Sequence, residues 1–534
     1  MRRTLASLMA VGLSLGLALT VTPAVVGSAS ANDTRAAVRT PGPTSRATPD
    51  REAATQALER AQAIFSDKAA PGPDGSGKGA RQRQDATLAL RDLFSSLGAL
   101  SPAQRHTAHG ILARPTDGPQ DGLGDGYTVP AVKKCRGNFC MHWVTSTEDA
   151  PPSSAWAGKM LRLMNKVWKK EVGKLGYRPP VSDLGRGGNN KFDVYLAQIG
   201  DGGLYGYCSP ERRKPGFRWL ASSYCVLDND FVEFPLPPFQ SAEVTAAHEF
   251  FHAIQFAYDY GEDAWLLEAT AVWMEERVFD DVNDNRQYLH AGQVARPFVP
   301  LDYFNQTTQE MYGNWPFFEF LSKKFGTGII RQIWNKAAAF PGAPDQYSTK
   351  AISSILKPKK GFKRVYSEFA SANVLPAKFY PEGKSWSLPP VYGAPITLTK
   401  AARRTGKMGA TLLHMSSASW ALKSSSTLRN KKWYLKVKVD GPSSFRGPAA
   451  YVLVQKRKGF EKRFVKLNGK GNGLVIVPFS RRRVKAVYVS LVNASTRFRC
   501  FKQTRYSCSG LPIDDGRQAV GKRYKFSASV IKRG

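Results

Sequence analysis

The sequence predicts an α+β protein built in two parts, a mixed helix-and-strand body followed by an all-β sandwich. Three observations predict it. Segments with helical spacing fill much of residues 242–338, the alternating stretch Phe192–Ala197 reads as a strand ahead of them, and from about Pro395 the apolar period changes to two. With 534 residues the chain is long enough for two to four domains, and 42% apolar content with 11% aromatics excludes wholesale disorder.

The elements follow in chain order. Residues 1–31 carry Arg2 and Arg3, a mildly apolar run over 5–21, a helix-breaking Pro23 and the small-residue ending Ala29-Ser30-Ala31, the pattern of a cleaved signal peptide. A secreted, extracellular protein is therefore expected, and no later stretch approaches the ~20 consecutive apolar residues of a spanning helix. Residues 32–126 hold two helical stretches, Arg51–Ser66 and 86–97, joined by the linker-like PGPDGSGKGA. This region reads as a propeptide or as a helical N-terminal appendage.

The mixed body occupies residues 127–390. It has a helix over 156–172, with Met160, Leu163, Val167 and Val172 on one side, then the strand Phe192–Ala197 and a turn-rich GDGGLYGY. Helices follow over 242–260, Ala264–Val278, Trp315–Phe325 and 329–338. Residues 391–534 carry WYLKVKV, AAYVLV, GLVIVP and AVYVSLV between clusters of Gly, Asn, Ser and Pro, which is the punctuation of a β-sandwich.

The cysteines fall into local pairs, Cys135 with Cys140, Cys208 with Cys225 and Cys500 with Cys508. None has the repeated CxxC spacing of a zinc ribbon, and an exported chain meets oxidising conditions, so three disulfides are expected. The formal charge of +35 is unevenly spread: residues 391–534 hold 32 Lys and Arg against four acids, whereas residues 225–312 hold 16 acids against three arginines. A +28 unit attracts an anionic polymer or cell envelope through counterion release, unless its lysines serve only solubility. Asp228-Asn229-Asp230 is a candidate calcium site, with a polar turn as the plainer reading.

The sharpest chemical signal is His248-Glu249-Phe250-Phe251-His252, in a stretch free of Pro and Gly over residues 241–260. Residues four apart lie on one side of a helix, so both imidazoles can grip one ion. Glu249, about 100° around, reaches a water held by that ion without ligating it, the arrangement of a zinc hydrolase. Next comes WLLEATAVWMEE, an apolar helix whose Glu268 and Glu275 are seven apart and point to nearly the same side. A buried carboxylate needs a partner, and a metal ion supplies one.

On these residues the sequence resembles the gluzincin clan of zinc metallopeptidases, in which HExxH is followed by a glutamate ligand on a second helix. FDVYLAQIGDGGLYGYC, LDNDF, HEFFHAIQFAYD, WLLEATAVWMEE and AVYVSLVNAS resemble, more closely, secreted bacterial metalloproteases known mainly as sequences. The resemblance implies a zincin-like catalytic domain and one catalytic Zn²⁺ held by His248, His252 and Glu268, with Glu275 the alternative ligand. It implies Glu249 as general base, a protein or peptide substrate and an extended substrate beside an edge strand, for which Phe192–Ala197 is the candidate. Tyr312, ahead of His290, is the candidate donor to the developing oxyanion.

This sequence departs from the clan in three ways. Its gap from His252 to Glu268 is short, WLLEATA lacks the Asn and Gly of WLNEGxA, and no acid follows Glu268 by three or four residues, which leaves Glu275, Asp228 or Asp230 to orient a histidine. The rival expectations are an exported polyanion- or cell-surface-binding protein with a vestigial or structural zinc site, and a zinc hydrolase of non-peptide bonds.

Overall fold

A computed structural model describes residues 51–66, 86–118, 126–304, 308–386, 391–444, 447–496 and 521–533. The expected signal peptide and the Cys500–Cys508 pair lie outside them. The chain is α+β: helices α1 (Arg51–Ser66), α2 (Ala86–Ser96) and α3 (Pro102–Ile111) precede a five-stranded mixed sheet. That sheet is formed by β1 (Val132–Arg136), β2 (Phe139–Trp143), β3 (Phe192–Ala197), β4 (Gly206–Arg213) and β5 (Ala221–Asp228), in the order β1-β2-β3-β5-β4. The strands β2, β3 and β5 are parallel, and the two edge strands run antiparallel to their neighbours. Disulfides Cys135–Cys140 and Cys208–Cys225 each tie an edge strand to the next strand in.

The expectation that Phe192–Ala197 is an edge strand is overturned, because β3 sits at the centre of the sheet and every residue in it is buried. Its one charged residue, Asp193, is buried with the rest. That carboxylate is buried against Arg114 (2.7 Å) and His142 (2.7 Å), and Arg114 also binds Asp183 (2.9 Å) and Glu211 (2.7 Å). One guanidinium thus ties β3 to β4 beneath the sheet, where an isolated charge would be costly.

Against the sheet lie α4 (Ser154–Trp168) and α5 (Pro238–Asp259), and α5 is buried almost throughout. Pro238 opens α5 at a position where its missing N–H costs nothing. The turn 260–263 then delivers the chain into α6 (Ala264–Val278), which packs on α5 and is buried over Ala264–Glu276. Further helices follow: α7 (Glu310–Gly313), α8 (Trp315–Phe325), α9 (Gly328–Ala337), α10 (Thr349–Leu356) and α11 (Phe362–Ala372). Helices α1–α3 contribute to the same core as the sheet and α5, through Ala54, Leu58, Leu90 and Leu93.

The C-terminal region has nine strands among the described residues: β6 (Ile396–Leu398), β7 (Arg404–Leu412), β8 (Ser416–Ser424), β9 (Trp433–Asp440), β10 (Pro448–Lys456), β11 (Phe460–Phe464), β12 (Asn472–Pro478), β13 (Val484–Asn493) and β14 (Lys522–Lys532). They form two sheets, β11-β10-β13-β8-β6 and β12-β9-β14-β7, that share a core including Trp420, Leu435, Val452, Val489 and Phe526. Strands β9 and β14 alternate strictly because their second face meets water. Strands β10 and β13 are nearly continuously buried because α11 covers the face turned away from the other sheet. At the tip between β7 and β8, His414 binds Asp302 at 2.7 Å and the Met415 carbonyl accepts from Leu301 N and Gln293 Nε2, which fixes the C-terminal sheets to the first part. Among the described residues no helix is long and apolar enough to cross a membrane.

Candidate metal centre

The geometry at α5 and α6 follows from helical spacing. His248 and His252 lie one turn apart on α5, with ring centroids 4.8 Å apart, and Glu268 stands one turn into α6. Glu268 Oε2 is 3.3 Å from His248 Nε2, and its Oε1 is 3.3 Å from His252 Nε2. The three ligand atoms lie within 4.8 Å of one another. The short gap between His252 and Glu268 is thus enough to bring the second helix back to the rings.

The outer nitrogens fix which atoms face inward. His248 Nδ1 lies 2.7 Å from Glu275 Oε1, and an ionised carboxylate can only accept, so Nδ1 carries the proton. His252 Nδ1 lies 2.7 Å from Gln255 Oε1; the amide nitrogen of Gln255 already donates to the Leu267 carbonyl and Thr270 Oγ1, which leaves its oxygen as the acceptor. Both Nε2 lone pairs therefore face Glu268. His252 Nε2 and Glu268 Oε1, 3.3 Å apart, are buried, and among the described residues neither has a hydrogen-bond donor, a costly arrangement for two acceptors unless a cation joins them.

This donor set fits zinc. Bonds of about 2.0–2.1 Å in a tetrahedron separate neighbouring donors by about 3.3–3.4 Å, and each Glu268 oxygen stands at that spacing from one imidazole, Oε2 from His248 and Oε1 from His252. Burial alone would push the Glu268 carboxyl up, but the His252 and His248 rings outweigh it and hold it well below its ordinary value. Glu268 is therefore ready to ligate as a carboxylate.

Glu249 is turned toward an adjoining cleft lined by Thr87, Tyr205, Gly206, His248, Tyr288 and Tyr312. Burial raises its carboxyl above the ordinary range, and the two imidazoles and a bond from Thr87 only partly offset that. Strand β4, the edge strand of the sheet, passes close by. A Cβ on Gly206 would come within 2.9 Å of Leu227 Cδ2, 3.0 Å of Thr245 Cγ2 and 3.1 Å of Glu249 Cγ, so any larger residue would press on the glutamate and its neighbours. Tyr312 lines the cleft with its ring 6.2 Å from that of His248, and the contact of Gly292 with Gly313 lets α7 sit this close. His290 is exposed, bonds the Gln287 carbonyl and is not among the cleft residues.

Glu275 is thus an orienting partner of His248, not one of the three convergent ligands, and Asp228 and Asp230 orient neither histidine. Two residues of the site are absent from the sequence reading. Gln255 carried a usable signal, a polar residue on an apolar helix one turn past His252. Thr87 carried none, being 162 residues from the glutamate it contacts.

A family model described as "Family of unknown function (DUF6055)" matches residues 235–351, a stretch that contains both α5 and α6. No curated protein matches the chain. Among solved structures, it is similar to the pre-peptidase C-terminal domain of a collagenase from Bacillus anthracis, with 7% identity and a TM-score of 0.15 over 27% of this chain and 97% of that one. At that score the likeness carries no argument about fold or function.

Proposed function

We propose that the chain is a secreted zinc metallopeptidase of gluzincin type, with a zincin-like catalytic domain followed by a β-sandwich. The observation that carries this reading is the convergence of two imidazole lone pairs and one carboxylate beside a second, separately held carboxylate. His248, His252 and Glu268 hold the ion. Bound there, zinc supplies Lewis acidity toward a carbonyl oxygen and lowers the pKa of a water toward ~7. Glu249 takes the proton of the attacking water and passes it to the leaving amine. Tyr312 is the group best situated to donate to the developing oxyanion. Glu275 and Asp284 also line the cleft and bias it toward cationic substrates.

The edge strand that an extended substrate would follow is β4, at its Gly206 end, which borders the cleft ahead of the Cys208 N–H that Thr87 of α2 takes. The test is metal analysis of the exported protein combined with digestion of a peptide library. One zinc per chain and cleavage lost on chelation are expected. A zinc-loaded protein that cleaves no peptide would sink the peptidase reading.

One observation favours a second reading, an exported protein that binds a polyanion or the cell surface and whose zinc site is structural or vestigial. A groove of about 520 Å³ on the outer face of β7, β14, β9 and β12 is lined by Lys407, Lys438 and Lys525 with only Asp440 opposing them. Retention on a phosphate-bearing resin that falls steeply with salt supports it. The same retention by a Lys407→Glu, Lys438→Glu, Lys525→Glu variant would remove this face from the account.

A further inference from the structure

We infer that Thr87 is a positioning residue for Glu249, and that α2 is therefore part of the working enzyme. The inference rests on the metallopeptidase reading above. A hydroxyl has a single proton. Thr87 Oγ1 accepts the backbone N–H of Cys208 at 3.0 Å, so its proton is committed to Glu249 Oε2, also at 3.0 Å. Among the described residues no other group donates a hydrogen bond to this carboxylate. One oxygen is thus tethered and the other left open toward the cleft, which defines the oxygen that receives a proton.

The tether is anchored at both ends. Cys208 and Cys225 are opposed with Cα atoms 4.0 Å apart, the short spacing of a non-hydrogen-bonded antiparallel pair, so the Cys208 N–H points away from β5, toward α2. One turn after Thr87, the buried Arg91 donates to the carbonyls of Tyr260 (3.4 Å) and Glu262 (2.8 Å) at the end of α5. The face of α2 that carries Thr87 and Arg91 therefore spans from the general base to the C-terminus of the helix that bears it, and packing of Phe94 on Tyr260 reinforces this. Misplacing a reacting group by about 1 Å costs on the order of 10²-fold in rate, so a bond that fixes Glu249 acts on turnover and not on affinity.

Two consequences follow. Trimming of the exported chain stops before Ala86, so the mature enzyme keeps Thr87. Replacing the hydroxyl by a methyl group lowers kcat while zinc binding and KM hold. The experiment compares wild type, Thr87→Val and Thr87→Ser on a quenched fluorescent peptide taken from the library digest, with zinc content and melting temperature followed in parallel. Thr87→Val is expected to keep one zinc, shift KM less than about 3-fold and lose about 10- to 100-fold in kcat, with Thr87→Ser restoring most of it. A Thr87→Val kcat equal to wild type overturns the inference. One above wild type also overturns it, and makes α2 a brake on the cleft.

A readout independent of turnover is the double-mutant cycle with Glu249→Ala in melting temperature. The Thr87→Val drop should shrink to half or less in the Glu249→Ala background. Equal drops in both backgrounds overturn the tether. A coupled pair in a protein that cleaves no peptide would leave the tether standing and sink only the peptidase reading. A fully active mature form beginning after Thr87 would overturn the inference outright.

Discussion

Among the described residues, two groups of side chains each bring three metal-capable atoms within 4.8 Å: His248, His252 and Glu268 in one, Asp228, Asp230 and Glu233 in the other. They differ in what occupies their lone pairs. In the first, outer partners take the Nδ1 atoms, and the inner atoms face one another with two of them unpaired. In the second, Asp228 Oδ1 accepts from the backbone N–H groups of Ile199 (3.2 Å) and Gly200 (2.6 Å), and Oδ2 from those of Asp230 (3.3 Å) and Phe231 (2.6 Å). Asp230 accepts from Val232 N, and Glu233 from Gln198 Nε2. The second group organises a turn, one that holds Phe231 at a φ of 63° against its steric preference. Nearness of metal-capable atoms is shared by both; what sets the first apart is that its histidines' outer nitrogens are bonded elsewhere, so the inner lone pairs converge on Glu268.

The largest expected effect breaks the first group. Glu268→Ala removes one of the three proposed ligands and should weaken zinc retention by about 10³-fold or more, with turnover lost as well, as measured by equilibrium dialysis and peptide cleavage. Full zinc occupancy in that variant would transfer the third ligand to Glu275. Next is Glu249→Gln, which should keep stoichiometric zinc yet lose about 10²- to 10⁴-fold in kcat. If that variant turned over normally, the carboxylate would have no place in the chemistry.

How much of this was legible in the sequence depends on the range over which each contact acts. The two histidines and Glu249 were readable because helical spacing alone fixes their relation. Glu268 was readable because a lone acid in Trp265–Ala271 has to meet something. Strand β3 was misjudged because the rank of a strand in a sheet is set by partners elsewhere in the chain. The alternation of β9 was visible, since one of its faces is wet, whereas the continuous burial of β10 comes from α11 and leaves no periodic trace. The tether at Thr87 is invisible in principle to local pattern, since it joins two elements far apart in the chain.

A smaller effect sharpens the contrast at the outer nitrogens. Gln255→Leu and Glu275→Ala should each cost about 10- to 100-fold in zinc affinity, since each frees an imidazole to rotate or change tautomer. The larger loss is expected for Gln255→Leu, because it leaves the His252 Nδ1 donor unpaired within the core as well. Affinity unchanged in both variants would mean that packing alone orients the rings.

The smallest effects belong to the second group. Calcium at millimolar concentration should leave the melting temperature where it was, while Asp228→Ala should destabilise the fold by about 1–3 kcal/mol through the four N–H groups it strands. Burial, against the pull of those N–H groups and with Glu233 nearby, raises the Asp228 carboxyl to about 7. A carboxyl whose folded pKa exceeds its unfolded value near 4 binds more protons in the native state across that window. Its contribution is therefore complete below about pH 4 and is lost as pH rises through about 7. Glu233→Gln removes the nearby negative charge, lowers that pKa and should flatten the decline, by less than the roughly 1.4 kcal/mol that one pKa unit represents. A melting temperature that climbs between pH 5 and 8 equally in wild type and Asp228→Asn would show that this carboxylate stays ionised throughout, and a bound cation would then be the partner to seek.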